Sequence, residues 1–104
     1  MSITAQISPD GHSVTINVNG RFDFSTHQDF RAAYEQHEQR PGDGTRYVLD
    51  LGNTEYMDSS ALGMLLMLRE HAGGESAAVR IANCGEAIRN VLTIANFQQL
   101  FSID

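Results

Sequence analysis

The chain contains no lysine: its seven basic residues are all arginine (Arg21, Arg31, Arg40, Arg46, Arg69, Arg80 and Arg89). A phosphate-loop lysine, the phosphate-pairing lysine of a protein kinase and a Schiff-base lysine are therefore excluded. Cysteine is nearly absent as well. Cys84 stands alone, which forbids an internal disulfide and any multi-cysteine zinc site and fits a reducing compartment. No stretch approaches the roughly 18 apolar residues of a membrane span, and Met1 to Gln6 shows no basic segment leading into an apolar run. The expectation is a cytoplasmic protein. Positive charge is scarce too: seven basic against thirteen acidic residues leave a formal net charge of −6, a sign that repels nucleic-acid phosphates and anionic membrane surfaces. Neither nucleic acid nor membrane is expected as a partner.

What is present reads as one soluble domain spanning residues 1–104, since 104 residues with 41% hydrophobic and 19% charged content are ordinary for a single globular unit. Ile3, Ala5 and Ile7 alternate, Pro9-Asp10-Gly11 supplies a turn, and Val14, Ile16 and Val18 alternate again, so the chain opens with a β-hairpin buried on one side. Ser25, three residues before Gln28, has the spacing of a capping box. It precedes a helix bearing Phe30, Ala33, Tyr34 and His37 and ending before Pro41 and Gly42. His37 has no second ligand at metal spacing and is read as structural; no metal or cofactor is expected. Pro41 to Thr45 forms a loop.

Tyr47-Val48-Leu49-Asp50-Leu51 has the look of a central strand buried on both faces. From Asp58 a helical pattern runs to His71 and Ala72, where Gly73 and Gly74 supply the left-handed stop. Ala77 to Ala82 gives another strand. Asn83, three before Glu86, is placed as the cap of a helix carrying Ile88, Val91, Leu92 and Ala95. Phe97, Leu100, Phe101 and Ile103 must be buried, as a short helix, a strand or both. The fold class is α/β: a mixed sheet with an N-terminal β-hairpin, then alternating helices and mostly parallel strands.

Asp58-Ser59-Ser60-Ala61-Leu62-Gly63 lies at a strand-to-helix corner, where free backbone N–H groups suit an anion. Asp58 or a serine capping the helix accounts for the same residues, and the two readings coexist. At about 100° per residue, Leu62, Leu65, Leu66 and Arg69 fall on one side of this helix. Ser60, Gly63, Met64, Met67 and His71 fall on the other. Both sides are largely apolar, where a helix lying on a sheet should show water a polar stripe. Either a protein partner docks on Met64 and Met67, or the third helix or the C-terminal tail covers them.

Tyr47-Val48-Leu49-Asp50-Leu51 followed by Met57-Asp58-Ser59-Ser60-Ala61-Leu62-Gly63 resembles the signature of the STAS domain of bacterial anti-sigma factor antagonists. Gly20-Arg21-Phe22-Asp23 is similar to the family's Gly-x-x-Asp after its second strand, and Ile88 to Ile103 resembles its closing helix and tail. The resemblance implies a cytoplasmic, non-enzymatic switch that binds an anti-sigma factor or a partner-switching serine kinase. Phosphorylation on the serine after the motif's aspartate releases it, and a serine phosphatase resets it. By position that serine is Ser59, with Asp58, Ser60 and Asp23 as its setting; the apolar helix face beside it makes Ser60, Gly63, Met64 and Met67 the expected docking surface, with Asp23 and Asp58 beside it in the partner-binding set. Ala61 stands where the family often has Gly or Thr, and Ala95-Asn96-Phe97 where it often has Gly, departures that bear on partner specificity. A constitutive adaptor of the same fold is the alternative. A small serine hydrolase fares poorly, because Met57-Asp58-Ser59-Ser60-Ala61 lacks the glycines of a nucleophile elbow and His12, His27, His37 and His71 show no pattern marking a base.

Overall fold

The computed structural model describes residues 2–35 and 45–104. The chain opens with β1 (Ser2–Ile7) and β2 (Ser13–Phe22), an antiparallel hairpin in which Ile3, Ala5 and Ile7 lie opposite Val18, Ile16 and Val14. Gly11 sits in its turn at φ 75°, a left-handed conformation that glycine adopts without penalty. A 3-10 turn (Phe24–Thr26) then leads into α1 (His27–Glu35). The cap of this unit is Asp23, whose side chain accepts the Ser25 N–H, and not Ser25. The capping-box spacing was misleading because a short 3-10 turn precedes the helix, so the aspartate comes first and takes the free donors. His37, the expected end of the helix before Pro41, and the loop up to Gly44 lie outside the described residues.

β3 (Arg46–Asp50) pairs parallel with β2 on one side and with β5 (Ala78–Ala82) on the other, which makes it the central strand. It is buried on one face only. Tyr47 and Leu49 are within the core, whereas Val48 and Asp50 are half-buried. The same alternation runs through β2, with Val14, Ile16 and Val18 buried and Thr15 and Asn17 half-buried, and through β5, where Arg80 is exposed. Apart from Ala82 at the end of β5, the buried residues of β2, β3 and β5 thus share one face, toward the helices, and the other face is more open.

Beyond Leu51 the chain makes a short break and resumes as β4 (Thr54–Met57), an element that the sequence pattern did not show. β4 pairs parallel with the far end of β2, Arg21 opposite Tyr56 and Phe22 opposite Met57. In effect β3 and β4 are one interrupted strand lying along β2. The break is organised by Asp50, which accepts hydrogen bonds from Gly52 N at 2.9 Å and Asn83 Nδ2 at 3.1 Å. A Cβ on Gly52 would lie 3.1 Å from Asp50 Oδ1, so this close approach favours glycine. On β2, Gly20 at φ 90° absorbs a register shift, and its N–H donates to Asn53 O.

α2 (Ser59–His71) starts at its cap Asp58 and stops where Gly73 and Gly74 take φ 123° and 62°. α3 (Glu86–Ile94) is capped by Gly85 backbone. Asn83 instead adopts φ 61°, turning its amide to Asp50 as one of the few residue types that tolerate this conformation. The tail resolves as both options: a 3-10 turn (Phe97–Gln99) and then β6 (Ser102–Ile103), parallel to β5. Phe97 and Phe101 stack at 5.5 Å and close the core.

Rings tie the helices to the sheet. Phe22 of β2, Phe30 and Tyr34 of α1, His71 of α2 and Tyr47 of β3 follow one another with centroids 4.9 to 6.2 Å apart. Such pairs add about 0.5 to 1.5 kcal/mol each beyond their burial. They fix α1 against α2, which sets the geometry of the surface between them.

Candidate functional site

Because Phe22 and Met57 are paired in a parallel ladder, the residues that follow them, Asp23 and Asp58, leave the sheet side by side. Each is a cap. Asp58 accepts the Ala61 N–H at 3.1 Å and the Ser60 hydroxyl at 2.6 Å. Asp23 accepts the N–H and the hydroxyl of Ser25, and its other oxygen takes Arg21 Nε at 3.1 Å. The hydrogen bond from Ser25, followed by that from Arg21, holds the Asp23 carboxyl below its ordinary range despite an opposing desolvation effect. Arg21 also lies over the Tyr56 ring, 4.3 Å from its centroid.

These bonds leave one residue of each corner free to project. Ser60 is held by Asp58, but Ser59 is exposed and its hydroxyl makes no hydrogen bond among the described residues. At the other corner Phe24 is 69% exposed and stacks on His27 with centroids 5.4 Å apart. The Phe24 ring thus offers an apolar contact to any partner that docks beside the Ser59 corner. Sequence periodicity did not single out Phe24, since an aromatic beside a buried strand is normally assigned to the core.

α2 continues the exposed side. Gly63, Leu66 (39% exposed), Met67 (45%) and Glu70 follow Ser59 at intervals of four, seven, eight and eleven residues, one stripe of a helix. The buried stripe is Ala61, Met64, Leu65 and Leu68. Met64 is 4% exposed and belongs to the core, so it is not part of the open face on which the sequence placed it. Leu66, assigned to the buried side, takes its place. The error has a physical origin: α2 is apolar nearly all round, and periodicity cannot fix the centre of the buried arc when both flanks are apolar. Met67 and Gly63 are where the sequence put them, on the open side.

The face continues into a groove of about 340 Å³ between α1 and α2, with Tyr34, Leu66 and Met67 along it and Glu70 among its charged groups. His71 also lines it; its Nε2 is shielded from solvent and has no hydrogen-bond partner among the described residues. A buried polar atom left this way is costly.

None of the described histidines bonds Ser59, and no group of three or more His, Cys, Asp or Glu among the described residues is placed to hold a metal. Cys84 is half-buried, and burial pushes its thiol up from its ordinary range. Among the described residues no helix is long and apolar enough to cross a membrane.

Known proteins resemble the chain in sequence and in fold. The chain is 57% identical over 103 residues to a STAS-domain containing protein of Pseudomonas aeruginosa (strain UCBPP-PA14), covering 99% of each. Its fold is similar to that of a putative anti-sigma factor antagonist from Thermotoga maritima, with a TM-score of 0.79 and 18% identity over 97% of this chain and 84% of that one. It is similar too to the anti-sigma factor antagonist SpoIIAA in its unphosphorylated form, with a TM-score of 0.73 and 18% identity over 99% and 87% of the two chains. The phosphorylated form of SpoIIAA, from Bacillus, gives 0.66 and 16% identity over 99% and 91%. The family model described as "Mlab, STAS domain" matches residues 5–102, nearly the whole chain, and with the curated relative it places the chain in the STAS domain family.

Proposed function

We propose that this protein is an anti-sigma factor antagonist that works as a cytoplasmic phospho-switch. In the unmodified state it binds an anti-sigma factor or a serine kinase of the partner-switching type. Phosphorylation of Ser59 ends that binding, and a serine phosphatase restores it. The observation that carries the reading is the free, exposed Ser59 hydroxyl at the start of α2, beside a Ser60 hydroxyl already bound to Asp58 and an open stripe of Gly63, Leu66 and Met67. The existence of SpoIIAA in unphosphorylated and phosphorylated forms is in keeping with it.

The physical mechanism needs no refolding. In the free protein a phosphate on Ser59 is tolerated, because the first turn of α2 offers unsatisfied N–H groups and the positive end of the helix dipole. In a closed interface the same group brings about −1.5 to −2 charges next to Asp58 and Asp23, with water excluded. The like-charge repulsion and the lost hydration both act against the complex alone. Asp23, Asp58 and Ser60 shape the corner, while Gly63 keeps the helix surface low enough for close approach; nothing lies within 4 Å of a Cβ built there. The chain itself catalyses no step, and kinase and phosphatase activities belong to its partners.

The test is a pair of variants titrated calorimetrically against the partner. Ser59→Ala should bind like the unmodified chain and resist switching; Ser59→Asp should bind weakly. Equal affinities would contradict the switch and favour a constitutive adaptor.

A further inference from the structure

β1 is an edge strand: among the described residues it pairs only with β2, through six consecutive residues without a bulge. Natural edges are protected by charges, proline or irregularity. Ser2-Ile3-Thr4-Ala5-Gln6-Ile7 has none of these in a chain that carries a net charge of −6. The hydrogen bond from Ser8 N to Ser13 O fixes which groups the edge offers. Hydrogen-bonded and non-hydrogen-bonded pairs alternate along an antiparallel ladder. Gln6 and Thr4 therefore turn their backbone groups toward Thr15 and Asn17, whereas Ile3, Ala5 and Ile7 turn theirs outward. Ile7 is 53% exposed. A cleft of about 210 Å³, lined by Ile3, Ala5, Ala32, Ala33 and Asp29, lies between the helix-facing side of β1 and α1.

We propose that β1 pairs antiparallel with β1 of a second copy of this chain, with Ala5 on the two-fold axis. This register places Ile3 opposite Ile7 of the second copy, Ala5 opposite its symmetry mate and Ile7 opposite Ile3. Every outward backbone group from Ile3 to Ile7 then meets a partner. It also keeps side chains on matching faces: apolar residues meet on the helix side, where Ile7 of one chain extends toward the other chain's cleft, and Thr4 meets Gln6 on the open side. A shift of two residues in one direction sets Pro9, which has no N–H, opposite Ile3. The second copy is favoured over a foreign strand because one six-residue segment satisfies both halves of the isologous contact without opposing charges. Among the described residues Asp29 is the one charged residue lining the cleft, and salt should screen any repulsion with its mate. The interface leaves the Ser59 corner and the open face of α2 unused, so its success or failure is independent of the phospho-switch.

Sedimentation equilibrium of the untagged chain across a concentration series tests the proposal. The mass should rise from 11.5 kDa toward twice that value. Ile7→Lys, a change at an exposed position, should raise the dissociation constant at least tenfold while leaving the circular dichroism spectrum unchanged. In a Cys84→Ser background, Thr4→Cys and Gln6→Cys chains should form a disulfide when mixed under mild oxidation, and neither should do so alone. A monomer at every concentration, an Ile7→Lys chain that dimerises like the parent, or cross-linking of Thr4→Cys chains to one another would overturn it.

Discussion

The corner after β2 and the corner after β4 share a local device. In Asp23-Phe24-Ser25 and in Asp58-Ser59-Ser60, the aspartate takes the hydroxyl two residues on and a nearby backbone N–H, and the middle residue is left pointing into water. The two differ in what they present: an aromatic ring at one, a hydroxyl at the other. They also differ in what stands behind them. Asp58 caps the 13-residue α2, with the open Gly63 and Met67 stripe beyond it, while Asp23 caps a three-residue turn and is braced by Arg21. A common backbone solution thus presents an exposed ring at one corner and an exposed hydroxyl at the other, set side by side by the pairing of Phe22 with Met57.

The largest expected effect comes from adding charge at one corner only. Ser59→Asp should weaken partner binding by about 3 kcal/mol, roughly a hundredfold, as a like charge enters a closed interface. Phe24→Ala should cost about 2 kcal/mol of partner affinity, the magnitude of an aromatic hot spot, with little change in thermal stability. Isothermal titration of the two variants in parallel measures both. If Phe24→Ala binds normally, the two corners do not act on one partner.

Smaller effects separate the caps. Asp58→Ala should lower the stability to urea unfolding by about 1 kcal/mol, because it removes an N-cap from a full α-helix. Asp23→Ala should cost less, since the turn it caps is only three residues long. The Asp23 carboxyl titrates below its ordinary range when folded, so its contribution is present above the unfolded value and is lost as pH falls through the lowered folded one. Asp23→Asn should therefore flatten the acid side of the stability profile, as followed by circular dichroism. Smallest of all, Gly63→Ala should stabilise the fold by about 0.5 to 1 kcal/mol, because Gly63 is a helix-interior glycine with open space around it. The same change should weaken docking if partners approach that surface closely.

Much of this was legible in the sequence. The hairpin, the central Tyr47 to Leu51 strand and the limits of α2 followed from period-2 alternation, an apolar run and a Gly73-Gly74 stop, signals that tertiary packing did not override. β4 was not legible: Thr54, Glu55 and Tyr56 are half-buried or exposed, and four residues held chiefly by backbone pairing to β2 leave no hydrophobic alternation. Asn83 was misplaced because cap spacing is read from residue type, whereas its left-handed backbone and its bond to Asp50 depend on a strand 33 residues away. At the candidate site, Ser59, Asp58 and Asp23 were singled out from motif and position. Met64 and Leu66 exchanged roles because an almost uniformly apolar α2 conceals its own orientation.

The most direct measurement is intact-mass and peptide mass spectrometry of the native chain purified from growing and from starved cells. The account predicts a phosphate on Ser59 whose occupancy changes between the two conditions. It predicts none on Ser25, whose hydroxyl is engaged by Asp23. A Ser59 unmodified in every condition, or a phosphate placed on Ser25 instead, would contradict it.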